Sequence, residues 1–363
     1  MTSDREALKA DFLLAHGLGD ARRQALTGDA STRRYERLHR TDGTSLIFMD
    51  QPPSVESAPC PPDATPEQRR AAGYNAMARL AAGRVDAFAA TAGWLHDQGL
   101  SAPVIVAFDT AAGLAVLEDL GDDLFAGLIL AGQDEAPLYE AAIEALAHLH
   151  AVAPPRVLDP GRLAWPLLDY DEVALKTAGD LFIEWLPRLK PGLAFDAAAA
   201  EAWDALWSPV HTRGAKGASV FCHRDYHAEN LVWLPDRTGP ARVGLLDFQD
   251  ALRAHPAWDL SMLLHDARRD VSPELEAAAL QRYFDLRPHA DRAAFVADYH
   301  ALGALNIARI LGVFARLVTR DGKPRYLTFM PRLWTYLDRC LADPGLSELK
   351  AWFARHVPAE ARA

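Results

Sequence analysis

The chain has 363 residues, 50% of them hydrophobic and 24% charged, which is a globular composition and a length sufficient for two lobes with separate cores. The formal charge of −11 argues against a nucleic-acid surface, because duplex binding needs clustered Lys and Arg to displace counterions. Cys60, Cys222 and Cys340 lie far apart, which excludes a C-x-x-C pair or a disulfide framework and suits a reduced, cytoplasmic setting.

The opening "MTSDREALKADFLLAHGLGD" carries acids in its first turns and lacks the basic start and apolar run of a signal peptide, so it reads as a short amphipathic helix. In "RQALTGDASTRRYERLHRTDGTSLIFMD", β-type runs broken by the turns "TGDAS" and "TDG" predict a small sheet. The Pro-rich "QPPSVESAPCPPDATPEQ" reads as a surface loop, and whether residues 51–72 close over a site stays open. Helical spacing returns in "DAFAATAGWLHDQG", and "APVIVAFDT" and "GLAVLEDLG" add two strands around a Gly-containing turn. From "APLYEAAIEALAHLHAV" onward nearly everything is helical, apart from the short strands "SVFCH", "NLVWL" and "RVGLLDF". Asn306, Arg309 and Arg316 interrupt "ALGALNIARILGVFARLV", whereas a spanning helix needs about 20 nearly unbroken apolar residues. That stretch reads as a buried core helix, and no membrane is expected.

The change from sheet-rich to helical sequence falls at "EDLGDD". The expected fold is α+β and bilobal: a small antiparallel β-sheet N-lobe over residues 1–119 and a larger, mainly helical C-lobe over residues 120–363, with ligands in the cleft between.

In "FCHRDYHAENLVWL", residues 221–234, polar residues at the spacing H-x-D-x-x-x-x-N separate two apolar runs. "LLDFQD" then supplies a second Asp just after a buried strand. This order is protein-kinase-like, with Gln249 where the D-F-G element has its glycine. Asp225 is the candidate catalytic base, orienting an acceptor hydroxyl and taking its proton. Asn230 and Asp247 offer oxygens to Mg²⁺, a hard cation that takes few protein ligands alongside phosphate and water. His223 is expected to brace the loop, and Asp259 of "AWDL" to support it from a helix start. An H-x-D triplet alone would be an ordinary polar turn. The full octet, its flanking strands, the following "DF" and the downstream "HPAWDL" together point to a phosphoryl-transfer site.

At these residues the chain resembles the aminoglycoside-phosphotransferase-like kinases, small-molecule relatives of protein kinases, whose hallmark includes His227 between the Asp and the Asn. Within that superfamily "GDASTRRYERL", "MDQPP", "LEDLGDDLF", "LLDFQDAL" and "ILGVFARLVTRDGKPRYL" resemble the bacterial anomeric N-acetylmuramate/N-acetylglucosamine kinases. The resemblance implies a protein-kinase-like fold with ATP and Mg²⁺ as cofactors. It further implies phosphorylation of an amino sugar at its 1-hydroxyl in peptidoglycan recycling, by a cytoplasmic monomer with no partner beyond that small molecule. Two other readings stay open: an aminoglycoside or small-alcohol phosphotransferase of the same fold, and a nucleotide-binding pseudokinase.

A conventional kinase grips phosphates with a lysine on its third strand. Here that position is Met49, and no lysine lies between Lys9 and Lys176. The phosphates are then expected on the backbone N–H groups of Gly28, Asp29, Ala30 and Ser31. Arg33 or Arg34, with Arg34 favoured, would add a guanidinium fork. By resemblance to the kinase hinge, Glu118 and Leu120 would offer backbone groups to adenine. For the sugar, the candidates are His227, Glu184, Trp185 and Arg309, the arginine suiting the lactyl carboxylate of N-acetylmuramate.

Overall fold

The computed structural model describes residues 2–26, 33–52, 58–159, 161–288 and 291–362. Its first elements are α1 (Thr2–Ala15), β1 (Arg22–Ala25), β2 (Arg34–His39), β3 (Ser45–Asp50), α2 (Pro66–Ala72), α3 (Tyr74–Ala78), α4 (Val85–Asp97), β4 (Ile105–Asp109) and β5 (Leu114–Glu118). Next come α5 (Phe125–Leu130), α6 (Glu135–Ala151), β6 (Val157–Leu158), β7 (Trp165–Pro166), α7 (Glu172–Leu189), α8 (Ala197–Lys216), β8 (Val220–Cys222), β9 (Leu231–Trp233), β10 (Val243–Leu245) and β11 (Leu252–Ala254). The chain ends in α9 (Ala257–Leu264), α10 (Pro273–Leu286), α11 (Arg292–Thr319), α12 (Met330–Cys340), α13 (Ser347–His356) and α14 (Ala359–Arg362). They form two compact units. One comprises Met1–Leu124, Pro155–Leu167 and Asn230–Ala251; the other comprises Phe125–Pro154, Leu168–Glu229 and Leu252–Ala363.

The first unit is built on an antiparallel five-stranded sheet of order β1-β2-β3-β5-β4, the small sheet that β-type runs between turn signals predict. Successive side chains on a strand point to opposite faces. On one face Phe48, Leu38, Leu114 and Val116 form a core with Phe12, Leu13 and Leu18 of the N-terminal segment, the Phe12 and Phe48 rings being stacked 6.1 Å apart. Lys9 of α1 is buried on that same face, bonded to Glu6 and Glu36 at 2.7 Å each. Tyr35 and Met49, directly paired across β2 and β3, belong to the other face. Lys9 therefore cannot take the place that Met49 leaves. The same unit holds the antiparallel β9–β10 pair, joined to Ser101 and Leu124 by isolated bridges at Gly244 and Val232.

The described part of the Pro-rich segment is an exposed, irregular stretch over residues 61–65, as expected, but it is anchored at both ends and runs into a helix. Cys60 and Arg69 are buried, and residues 66–72 are helical behind a Thr65–Gln68 capping box with Pro at the helix start. The signal was present in "TPEQ". Arg69 spans the break after α2, donating to the carbonyls of Ala76 at 3.2 Å and Met77 at 2.7 Å.

In the second unit α11 runs through the core. Among the described residues it is the helix long and apolar enough to cross a membrane, yet 78% of its most apolar stretch is buried within the fold, as the interrupted sequence predicts. It packs closely on α7: a Cβ at Gly312 would lie 2.3 Å from the Leu181 carbonyl carbon. An aromatic cluster anchors the C-terminal helices, with Phe182 stacked on Trp203 at 5.2 Å and Trp352 against Trp203 at 4.8 Å. β8 pairs antiparallel with β11 and leads into the His223–Glu229 segment.

Candidate active site

The His223–Glu229 segment, which carries the candidate base, leaves β8, whose three residues are all buried, and is held by Asp259 in the first turn of α9. That carboxylate accepts hydrogen bonds from the backbone N–H of His223 at 2.6 Å and of Arg224 at 2.8 Å, and from the Cys222 thiol at 3.2 Å. Arg224 holds a positive φ of 79°, a conformation that costs a non-glycine residue about 1–2 kcal/mol and needs such support. Burial pushes the Asp259 carboxyl up to about 7 against the pull of its donors, and the Asp225 charge adds to the rise. The expectation that Asp259 supports the loop matches this geometry.

Further along, the Tyr226 hydroxyl donates to the Ala142 carbonyl at 2.7 Å, and His223 and Tyr226 meet edge to face at 5.6 Å. Asp266 accepts from the Ala228 N–H at 3.4 Å and the Arg268 N–H at 2.9 Å. Arg268 in turn pairs with Glu229 at 2.7 Å and lies 3.4 Å from His227 Nε2. So His227 sits buried against an arginine of its own unit. With Arg224 at 3% and Tyr226 at 1% exposure, Asp225 stands out, its side chain 30% exposed. Arg309 of α11 lies 3.9 Å from the Asp225 carboxylate. The guanidinium is oriented by the Asn306 side chain, which accepts from its Nε at 2.9 Å.

The candidate metal ligands lie in the first unit, at the ends of paired strands. Asn230 immediately precedes β9, and its carbonyl accepts from the Leu246 N–H at 2.9 Å, which sets residue 230 beside the turn that carries Asp247. Asp247 adopts a φ of 62°, a left-handed conformation that Asp tolerates. Among the described residues no group of three or more His, Cys, Asp or Glu could hold a metal. Two residues with side-chain oxygens on adjoining backbone nevertheless fit Mg²⁺, which keeps most of its shell for water and phosphate.

Residues 22–296 match the Phosphotransferase enzyme family. The chain belongs to that family. It is 68% identical to the N-acetylmuramate/N-acetylglucosamine kinase of Caulobacter vibrioides, over 100% of this chain and 99% of the relative. It is 29% identical to the protein of the same name from Pseudomonas aeruginosa, over 93% of this chain and 90% of that one. Among solved structures, choline kinase LicA from Streptococcus pneumoniae aligns with a TM-score of 0.55 at 15% identity, covering 94% of this chain and 99% of that one. A Plasmodium vivax ethanolamine kinase aligns with a TM-score of 0.58 at 11% identity, covering 93% and 86%. The phosphotransferase thus has the kinase-like α+β fold read from its sequence, with an antiparallel sheet toward the N-terminus and helices through most of the rest.

The remaining sequence candidates of this phosphotransferase fall as follows. Gly28, Asp29, Ala30 and Ser31 lie outside the described residues. Arg34 is exposed at the start of β2, opposite Asp50. Its neighbour Arg33 is the one that pairs with Asp247, a choice that alternation along the strand makes and composition does not show. The Glu118 N–H already donates to the Val104 carbonyl at 2.8 Å, and its side chain pairs with Arg237 at 2.7 Å. Leu120 packs toward Gly244, where a Cβ would meet it at 3.0 Å. Glu184 is exposed and paired with Arg188 at 3.3 Å, and the same Arg188 lies over the Trp185 ring at 4.2 Å. This is a self-contained cluster on the outer side of α7, where helical spacing alone could not tell a ligand wall from a solvated face. Arg33, Gln249 and Asp250 are the site neighbours that sequence reading passed over or ranked second.

Proposed function

We propose that this phosphotransferase is an ATP- and Mg²⁺-dependent kinase acting on the anomeric 1-hydroxyl of N-acetylmuramate and N-acetylglucosamine, in the cytoplasm and in peptidoglycan recycling. The observation that carries the reading is the presentation of Asp225: a loop buried on both sides leaves one carboxylate accessible beside a cation. Identity of 68% along the whole chain to a kinase named for those two sugars supports the choice of acceptor.

In this reading residues 1–119 carry the nucleotide and residues 120–363 the acceptor, with Glu118 and Leu120 lending backbone groups to adenine and the backbone of Gly28, Asp29, Ala30 and Ser31 receiving the phosphates. Asp225 accepts a hydrogen bond from the sugar hydroxyl, aims its oxygen and takes its proton as the new O–P bond forms and the bond from the γ-phosphorus to the bridging oxygen breaks, so that ADP leaves with that electron pair. Asn230 and Asp247 would hold Mg²⁺. When bound, that ion supplies charge neutralisation across the phosphates. Arg309, a planar donor beside the base, is placed to receive the lactyl carboxylate that distinguishes N-acetylmuramate from N-acetylglucosamine. Glu184 and Trp185, tied up with Arg188, are not needed for this reading.

The test is a transfer assay with γ-labelled ATP and Mg²⁺ against N-acetylmuramate, N-acetylglucosamine and a set of aminoglycosides. Label on the two sugars, lost on mild acid treatment as expected of a 1-phosphate, supports the proposal. Label on antibiotics alone, or nucleotide binding with no transfer to any acceptor, overturns it.

A further inference from the structure

Two departures from the usual kinase pattern, a missing strand lysine and a glutamine in place of the D-F-G glycine, meet at one point in the first unit. Arg33 lies on the Met49 face of the sheet, where its guanidinium donates to the Tyr35 hydroxyl at 3.3 Å. It forms an ion pair with Asp247 and donates to the Gln249 side-chain oxygen at 2.7 Å. The Gln249 amide completes the triangle by donating to Asp247 at 3.2 Å and to Asp250 at 3.4 Å. Asp250 is itself fixed, accepting from the Ala81 N–H at 2.6 Å. Gln249 is buried, and the Arg33 side chain is only 10% exposed. A glycine at 249 could neither hold the guanidinium nor bridge it to the carboxylate.

Two other cations of this unit are committed elsewhere. Arg37, on the same face, is bonded to Asp119 at 2.7 Å and to Asp122 at 2.7 Å. Lys9 is on the opposite face with Glu6 and Glu36.

We propose that Arg33 is the cation that replaces the strand lysine, with Gln249 as its positioning residue. Without nucleotide, Arg33 neutralises Asp247. Once nucleotide is bound, Arg33 turns from the carboxylate to the phosphates and releases Asp247 to ligate. This rests on the nucleotide and magnesium reading above. An arginine suits the exchange because its fork binds carboxylate and phosphate oxygens with the same geometry.

The proposal makes two affinities move in opposite directions. Arg33→Gln should bind ADP with Mg²⁺ about tenfold more weakly than wild type, as expected for the loss of one charge-assisted phosphate contact. The same variant should bind bare Mn²⁺, followed by electron paramagnetic resonance, more tightly, because no guanidinium competes for Asp247. Arg33→Lys should recover most of the ADP affinity, and Gln249→Gly should reproduce both shifts in weaker form even if Arg33→Gln proves poorly folded by its thermal midpoint. Unchanged ADP affinity in a folded Arg33→Gln or Gln249→Gly variant, or a parallel loss of both affinities, would overturn the assignment. Wild-type protein that binds no Mg²⁺–ADP would instead sink the nucleotide reading beneath it.

Discussion

At the scale of single residues, the proposed function gives Asp225 the chemistry and Arg309 the recognition of the acceptor. Asp225→Asn removes the proton acceptor but no group in the first unit, so turnover should drop by about 10²–10⁴-fold. Nucleotide affinity, measured by calorimetry, should stay within experimental error of wild type. Arg309 is half-buried beside Trp258, whose ring lies 5.8 Å away, and is held in place by Asn306. Arg309→Met keeps the apolar stem and loses the charge, so KM for N-acetylmuramate should rise by about tenfold or more, the worth of one charged hydrogen bond. KM for N-acetylglucosamine, which lacks the lactyl group, should change far less. Equal rises for both sugars would remove Arg309 from acceptor selection.

Elements supply the rigidity that these side chains need. The His223–Glu229 segment has little regular structure of its own; its shape comes from β8 pairing with β11 and from the Asp259 and Asp266 carboxylates, which take up the loop's N–H groups. Arg309 depends on α11, and α11 depends on its approach to α7. At Gly312 an added methyl would stand 2.3 and 2.5 Å from the carbonyl carbon and oxygen of Leu181, backbone atoms that cannot rotate aside. Gly312→Ala should therefore destabilise the second unit by about 1–3 kcal/mol, the usual cost of overpacking, read as a lowered thermal midpoint. At Gly93 of α4 an added methyl would meet nothing within 4 Å, and Gly93→Ala should be neutral or mildly stabilising. A Gly312→Ala protein as stable as wild type would mean that the two helices are less tightly apposed than these distances require.

For the molecule as a whole, each unit contains a carboxylate network that ties stability to pH. In the second unit burial opposes ionisation of Glu276, but hydrogen bonds from His265 and Tyr299 and the charge of Arg339 prevail and hold it at about 2, below its ordinary 4.5. In the first unit the hydrogen bond from Arg23, with that from Lys9, likewise brings Glu36 to about 2. A carboxyl depressed on folding stabilises fully above its unfolded value and loses that contribution as pH falls through its folded one. Urea midpoints should therefore decline steadily between pH 4.5 and 2. Glu276→Gln should flatten the part of that decline belonging to the second unit. A wild-type midpoint constant across that interval would contradict the networks.

Features whose signals are local could be read directly from the chain. β-type runs between turn signals marked the strands of the sheet, helical spacing and interrupting polar residues marked a buried α11, and the octet with the following "LLDFQD" singled out Asp225, Asn230 and Asp247. The capping box at Thr65 was equally local and was hidden only by the prolines around it. Which distant side chains meet was settled by packing alone. Arg33 and Asp247 are 214 positions apart, and two adjacent arginines look alike until the strand sends one to each face. Glu184 and Trp185 have the composition of a sugar wall, and only the fold shows that Glu184 stands exposed, beside Arg188 of the same helix. Arg309 was a sugar candidate from its sequence, but only the fold brought it to 3.9 Å from the Asp225 carboxylate. Periodicity and spacing follow from backbone geometry within a few residues, whereas the partner of a charged side chain is fixed only when the elements carrying it have packed.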